Sequence, residues 1–373
     1  MRVVLCVGSI EPSMTGIGRY TWELAKRLPK TVGSVQFFRH GEFIDDPGVL
    51  LRQGQGEASS RGPRRALFKI SPPRWWKELR LQLACRGKIF HGPNYFLPPC
   101  ADTGVVTVHD LSVFKYPETH PIQRIKEFEL KFGRTVATAA HLITDSEAIR
   151  SEVIDFLGWP ADRITAVPLG VSSQFTPRPA EDLSACMGKY GLTPNGYALC
   201  VSTLEPRKKI KNLLGAYLSI SSDLRSRFPL VLAGGAGWLN DGLHEKLESC
   251  VRQGWLRWLG FVPEADLPLL YSGARLFVYP SSYEGFGLPV LEAMASGAPV
   301  VTSNRSALPE LTRGAALLAD PDNIDELAEL ITKGHFDEGW RSFALTEGLS
   351  IAHLHSWERC VEQTIRVYER AAG

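Results

Sequence analysis

Short apolar runs recur along the chain, each passing through a glycine or polar turn into a stretch with helical spacing. The first run, Arg2 to Gly8, leads through Ser9 to Gly18 into a helix pattern with Tyr20, Leu24 and Leu28 on one face. Apolar strands follow at Lys88 to Gly92 and at Thr103 to Leu111, both ending in polar turns. A long helical stretch covers about 121–140, then come a strand at His141 to Ser146, a helix at 147–157 and a strand at Ile164 to Val167. From 172 to 195 the rhythm breaks, with Pro177, Pro179, Pro194 and Asn195-Gly196, so a linker is expected there. The alternation then restarts with strands at Tyr197 to Thr203, Pro229 to Gly235, Leu256 to Leu259, Arg275 to Pro280, Pro299 to Thr302 and Ala315 to Ala319. The fold class is therefore α/β: two Rossmann-like, doubly wound domains, 1–171 and 172–349, facing a deep cleft.

The chemistry concentrates in residues 275–301. Here an apolar strand ends in Glu284-Gly285-Phe286-Gly287-Leu288-Pro289, and a helix pattern begins with proline near its first position. Glycine frees the backbone for unusual conformations and for close approach of a ligand, and the first amides of a helix lack partners and favour anions. Glu284 precedes this helix end, and Glu292 sits about a turn inside it with a side chain leaning back toward it. Amides that attract phosphate, framed by acids that accept from hydroxyls, suit a nucleotide sugar. The plainer alternative is that Glu292 complements the helix dipole and Glu284 is a solvated loop acid.

A second anomaly is Glu205-Pro206-Arg207-Lys208-Lys209-Ile210-Lys211, which puts four cations at an expected helix start, where the dipole favours acids. A bound phosphate would reverse the sign of that effect, with Arg207 as a fork of donors and Lys208 as a point charge. Lys209 and Lys211 fit a solvated basic face. His109 and Asp110 fall beyond the carboxyl end of their strand, where open parallel sheets hold their ligands. The plainer alternative for His109 is a hydrogen bond that caps the strand end. Gly16 and Gly18 alone are a weak signal, since the third glycine of a dinucleotide fingerprint is missing.

Composition adds limits. At 373 residues, 44% hydrophobic and 22% charged, the chain reads as a soluble globular protein of two domains. It holds no apolar run of membrane-spanning length, and its N-terminus lacks a signal-peptide pattern. Seven scattered cysteines indicate neither a disulfide framework nor a zinc site, and fit a reducing cytoplasm. Segment 61–88 carries nine bases against Glu78 alone, interleaved with Leu67, Phe68, Trp75 and Trp76. It suits an anionic membrane surface, with a nucleic-acid grip or a solvated helix face as the competing readings. The membrane reading is kept and no nucleic-acid partner is expected.

Gly16-Ile17-Gly18, His109-Asp110-Leu111, Thr203 to Lys208 and Glu284 to Glu292 resemble, in that order, the motifs of glycosyltransferase family 4. The resemblance spans nearly the whole chain and is nearest to bacterial mannosyl- and rhamnosyltransferases of O-antigen or exopolysaccharide assembly. It implies a GT-B fold and retaining transfer of a hexose, mannose or rhamnose, from a GDP sugar to a lipid-linked oligosaccharide acceptor, with no metal and no cofactor. The site would lie at the inner face of the cytoplasmic membrane. By the same resemblance, Arg207, Lys208 and the amides near Gly287 and Leu288 hold the diphosphate, together with the flanking Gly285 and Phe286. Glu284 contacts the sugar and serves catalysis with His109, which lies beside the reacting carbon next to Asp110. Glu292 takes the ribose, and Gly16 and Gly18 form a loop over the phosphates. Trp357 to Tyr368, within a terminal stretch of about 350–373, resembles the family's last helix, which returns to the first domain. Ser202-Thr203 stand where many members have Gly-Arg, so Arg207 and Lys208 must carry more of the charge. Two alternatives are an epimerase of the same fold and a two-domain sugar-binding protein. An NAD-dependent oxidoreductase fits less well, because neither half has the full glycine fingerprint.

Overall fold

The computed structural model describes residues 1–12, 14–52, 74–235, 237 and 242–373; of residues 74–78 only the backbone is described. Among the described residues thirteen strands form two sheets. The first contains β1 (Arg2–Cys6), β2 (Ser34–Arg39), β3 (Glu42–Ile44), β4 (Ile89–Gly92), β5 (Thr103–Thr107), β6 (Ala139–Thr144) and β7 (Ile164–Ala166). Its order is β3-β2-β1-β4-β5-β6-β7, parallel except for the β2–β3 hairpin. The second contains β8 (Ala198–Val201), β9 (Leu230–Ala233), β10 (Leu256–Gly260), β11 (Leu276–Tyr279), β12 (Val300–Ser303) and β13 (Leu317–Ala319), in the order β10-β9-β8-β11-β12-β13, all parallel. The inner strands are apolar on both faces because helices cover both, as in β9 and β11, where every residue is buried.

Each sheet reverses its strand order once, between β1 and β4 in the first and between β8 and β11 in the second. Ligand crevices of open α/β sheets form outside the carboxyl ends of the strands at such switch points. Beyond β1 lies the start of the helix Gly16–Thr31; beyond β8 lie Arg207 and Lys208, and beyond β11 Glu284 to Leu288. Local chemistry sets these junctions. Thr15 caps Gly16–Thr31 by accepting from the Gly18 amide at 3.3 Å, and Ser146 caps Glu147–Leu157, which ends at Gly158 in the left-handed region.

The helix Ala180–Tyr190 lies inside the stretch expected as a linker. The chain passes between the sheets twice at nearly one place: Val171 bridges Ser356 in parallel, and the Val171 amide donates to the His355 carbonyl at 3.1 Å. At the crossing a Cβ on Gly170 would stand 2.2 Å from the Trp357 nitrogen, so only glycine fits. The helix Trp357–Ala371 then packs on the Gly16–Thr31 helix and on β5 and β6.

The basic, aromatic segment 61–88 lies largely outside the described residues: 61–73 entirely, and the side chains of 74–78. Its remainder forms most of the helix Arg74–Cys85 and leads into β4. Among the described residues no helix is long and apolar enough to cross a membrane.

Candidate active site

After β8 the chain makes a short 3₁₀ turn at Pro206–Lys208, and Lys209, at φ +55°, hands over to the helix Ile210–Ser219. Of the cations expected at this helix start, Arg207, Lys208 and Lys209 each meet a carboxylate. Arg207 Nε donates to Glu205 at 3.0 Å, while its Nη1 donates to the Tyr283 carbonyl at 2.8 Å and lies 3.5 Å from Glu284. Lys208 Nζ reaches Glu284 Oε1 at 2.5 Å and the Tyr279 hydroxyl at 2.8 Å, and that hydroxyl donates on to the same Oε1 at 2.9 Å. Lys209 pairs with Asp322 at 2.7 Å. Burial alone would raise the Glu284 carboxyl, but Lys208 and Arg207 outweigh it and hold the acid below its ordinary range. Burial works against the Arg207 charge, yet Glu284, Asp110 and Glu205 strengthen it.

The turn after β11 reaches the helix Leu288–Ala295 through Gly287 at φ +106°, a conformation that excludes most side chains. Nothing caps this helix from a side chain, and the amides of Gly285, Phe286, Gly287 and Leu288 donate to no oxygen among the described residues. Four open donors therefore lie beside the Lys208–Glu284 pair. Gly285 is a glycine for another reason: its φ is ordinary, but a Cβ would stand 2.0 Å from the His109 carbonyl oxygen. What comes close to Gly285 is the backbone of the first sheet's domain. Gly16 also faces this turn, with its Cβ position 3.7 Å from Leu288 Cδ1. Gly16 and Gly18 lie in the first turn of their helix rather than in a loop, and Gly18 is pressed against the Ser9 carbonyl.

His109 is buried with both ring nitrogens engaged, Nδ1 to Asp145 at 2.7 Å and Nε2 to the Pro93 carbonyl at 2.8 Å. A carbonyl only accepts, so Nε2 carries a proton. Burial opposes charge on this ring, but the Asp145 carboxylate and the Pro93 carbonyl raise its pKa overall. Both ring nitrogens are thus engaged within the protein, and His109 turns its main-chain carbonyl toward Gly285. Asp110 accepts from the Ser112 amide at 2.9 Å and hydroxyl at 2.7 Å; burial is offset by Arg207 and by these bonds, so its pKa is lowered.

Glu292 meets Arg19 of the first domain, whose Nη1 stands 2.8 Å from Oε1. Burial raises its pKa even so. Phe286 is buried against His355, ring centroids 5.6 Å apart.

Several residues at this junction escape sequence reading. Tyr283 inserts into the apolar cluster of the first domain, accepts from the Leu111 amide at 3.1 Å and donates to Glu152 at 2.7 Å. Ser146 donates to the Gly285 carbonyl at 2.8 Å, and the Glu310 carboxylate takes the Glu147 and Ala148 amides at 2.9 and 2.8 Å. Arg19, Tyr283 and Glu310 owe their roles to partners more than a hundred positions away, which no local pattern encodes. Arg19 follows Gly18 directly, and that adjacency is the one signal that could have marked it.

Residues 14–175 match the family model described as Glycosyltransferase Family 4, and residues 189–338 that described as Glycosyl transferases group 1. The O-antigen chain mannosyltransferase B of Escherichia coli is 40% identical over 379 residues, covering 99% of this chain and 100% of that protein. The serotype-specific mannosyltransferase WbdA of Escherichia coli is 29% identical over 75% of this chain and 35% of its own length. Among solved structures, HepE of Anabaena in complex with UDP and glucose superposes with a TM-score of 0.74 at 19% identity over 99% of both chains. WaaG, a glycosyltransferase involved in lipopolysaccharide biosynthesis, gives 0.72 at 15% identity over 98% of this chain and 99% of that one. These two structural likenesses bear on the fold.

Proposed function

The chain belongs to the family 4 glycosyltransferases and has their GT-B fold, and on that premise we propose that it transfers mannose from a GDP sugar to a lipid-linked glycan in O-antigen assembly. The anomeric configuration is retained. Residues 1–171 with the terminal 350–373 take the acceptor, and 172–349 the donor. The reaction runs at the inner face of the cytoplasmic membrane.

The observation that carries the reading is the meeting of Arg207 and Lys208 with Glu284 beside four open amides at the switch point of the second sheet. Breaking the bond from sugar C1 to the β-phosphate leaves charge on the diphosphate and an oxocarbenium-like sugar. Cations and open amides stabilise the first. Lys208 then exchanges part of its contact with Glu284 for phosphate oxygens, and the carboxylate, held ionised, accepts from sugar hydroxyls. The acceptor oxygen bonds to C1 on the face the diphosphate leaves, and its proton passes to the departing β-phosphate oxygen. His109 borders the sugar through its main-chain carbonyl while Asp145 and Pro93 hold its ring. Asp110 lies beside the diphosphate cations, Gly16 and Gly18 bring their helix start to the same opening, and Glu292 accepts from the ribose.

The test is transfer of labelled mannose from GDP-mannose to a lipid-linked acceptor. Lys208→Ala and Glu284→Gln each lower kcat by about 100-fold or more while melting curves stay cooperative, the loss expected when a transition-state contact goes. Wild-type rates in both variants overturn the site. Melting in GDP, UDP, ADP and dTDP sugars tests the donor, which is the one that raises Tm most.

A further inference from the structure

We propose that Arg19 is the positioning residue through which the first domain holds the donor: it fixes Glu292 for the ribose and so ties nucleotide affinity to closure of the two halves. This rests on the reading of Glu292 as the ribose acceptor. The geometry has several parts. Arg19 stands in the first turn of the Gly16–Thr31 helix, where a cation opposes the dipole and helix-internal reasons for a base are lacking. Its guanidinium leaves that helix altogether. Nη1 reaches Glu292 at 2.8 Å and Nη2 reaches Glu264 at 3.0 Å, both in the second sheet's domain.

These partners differ in character. Glu264 is more than half exposed, so its pair with Arg19 adds little. The Glu292 side chain keeps only 10% of its surface, and a carboxylate so buried is costly without a cation. Around it stand Arg19, the phenol of Tyr271 on the helix Leu267–Gly273, and the like charge of Glu264. Arg19 is thus the cation its surroundings supply. It bonds Oε1 through Nη1. When the halves part, Glu292 loses this cation, so the ionised, aimed acceptor exists in the closed arrangement. Burial already raises the Glu292 pKa with Arg19 in place; without Arg19 it rises further.

The experiment measures donor KM, kcat and their pH dependence for Arg19→Ala, Arg19→Lys and Glu264→Gln with GDP-mannose. Arg19→Ala raises donor KM about tenfold or more with kcat within about threefold, and Arg19→Lys recovers part of the loss. In Arg19→Ala the donor KM climbs on acidification at a higher pH than in wild type, because Glu292 takes its proton sooner. Glu264→Gln changes KM less than Arg19→Ala does. An unchanged donor KM in Arg19→Ala, or a fall confined to kcat, overturns the inference. If Lys208→Ala is also silent, the site reading itself has failed; if Lys208→Ala is inactive, only the role of Arg19 has.

Discussion

Replacing Gly285 by alanine tests whether the close meeting of the two halves is the reactive arrangement. The backbone there is not left-handed, so alanine brings no φ penalty. The obstacle is a Cβ 2.0 Å from the His109 carbonyl oxygen and 2.9 Å from its carbon. Relief takes about 1 Å or more of separation, since real contacts stay above 3.0 Å. Neither side yields alone, because Ser146 holds the Gly285 carbonyl and the Tyr283 hydroxyl holds the Leu111 amide and Glu152. Stretching two or three such bonds, each worth about 1 kcal/mol, disfavours closure by about 2–3 kcal/mol, or about 30- to 150-fold. A misplacement of about 1 Å at the reacting atoms costs a similar factor by itself. The expected result is a fall in kcat/KM of about 100-fold or more with circular dichroism unchanged. A value within about threefold of wild type would refute the argument, since the enzyme would then react with the halves apart.

Glu310→Ala removes the carboxylate that takes the first amides of the Glu147–Leu157 helix from the other domain. A cap of this kind is worth about 1 kcal/mol, so donor KM rises about two- to fivefold and small-angle scattering reports a larger radius of gyration; identical scattering and KM would remove this contact from the closure. His335 is buried, stacked 4.6 Å from Phe228, with no partner on either ring nitrogen among the described residues. Burial, then Arg275 and Arg341, push its pKa down to about 3. Because the folded value lies below the unfolded one, stability is complete above about pH 6.5 and is lost as pH falls from there toward 3. The loss at pH 5 is about 2 kcal/mol, and His335→Phe flattens the decline of Tm between pH 7.5 and 5; an equal slope in both proteins would count against it.

The alternation of strands and helices is legible because buried parallel strands are written as unbroken apolar runs. The helix 147–157 can be read to its ends, since Ser146 caps one and Gly158 the other. β2 and β3 escape notice: Ser34–Arg39 and Glu42–Ile44 form a partly exposed edge hairpin with mixed polarity, joined by His40-Gly41, both at positive φ. The helix Ala180–Tyr190 is masked by the prolines flanking it. In the site, Arg207, Lys208 and Glu284 stand out because they break local rules, and the structure brings them within bonding distance. His109 shows the limit of such reading. Its place beyond a strand is visible in the sequence, but Asp145 and Pro93, which occupy its ring, are neighbours only after folding.

Tyr283 belongs by chain position to the second sheet's turn, yet its ring is part of the apolar cluster built by Tyr95, Val106, Leu111 and Phe128. The halves are thus not interchangeable cassettes. A chimera joining this N-terminal half to the C-terminal half of a relative must supply an aromatic of the same size at that position. A smaller residue opens a hole in the first domain's apolar cluster, a penalty of about 3–5 kcal/mol for loss of a large ring. Recombination among such enzymes should therefore carry Tyr283 and its socket together, as one heritable unit cut across the chain's own midpoint.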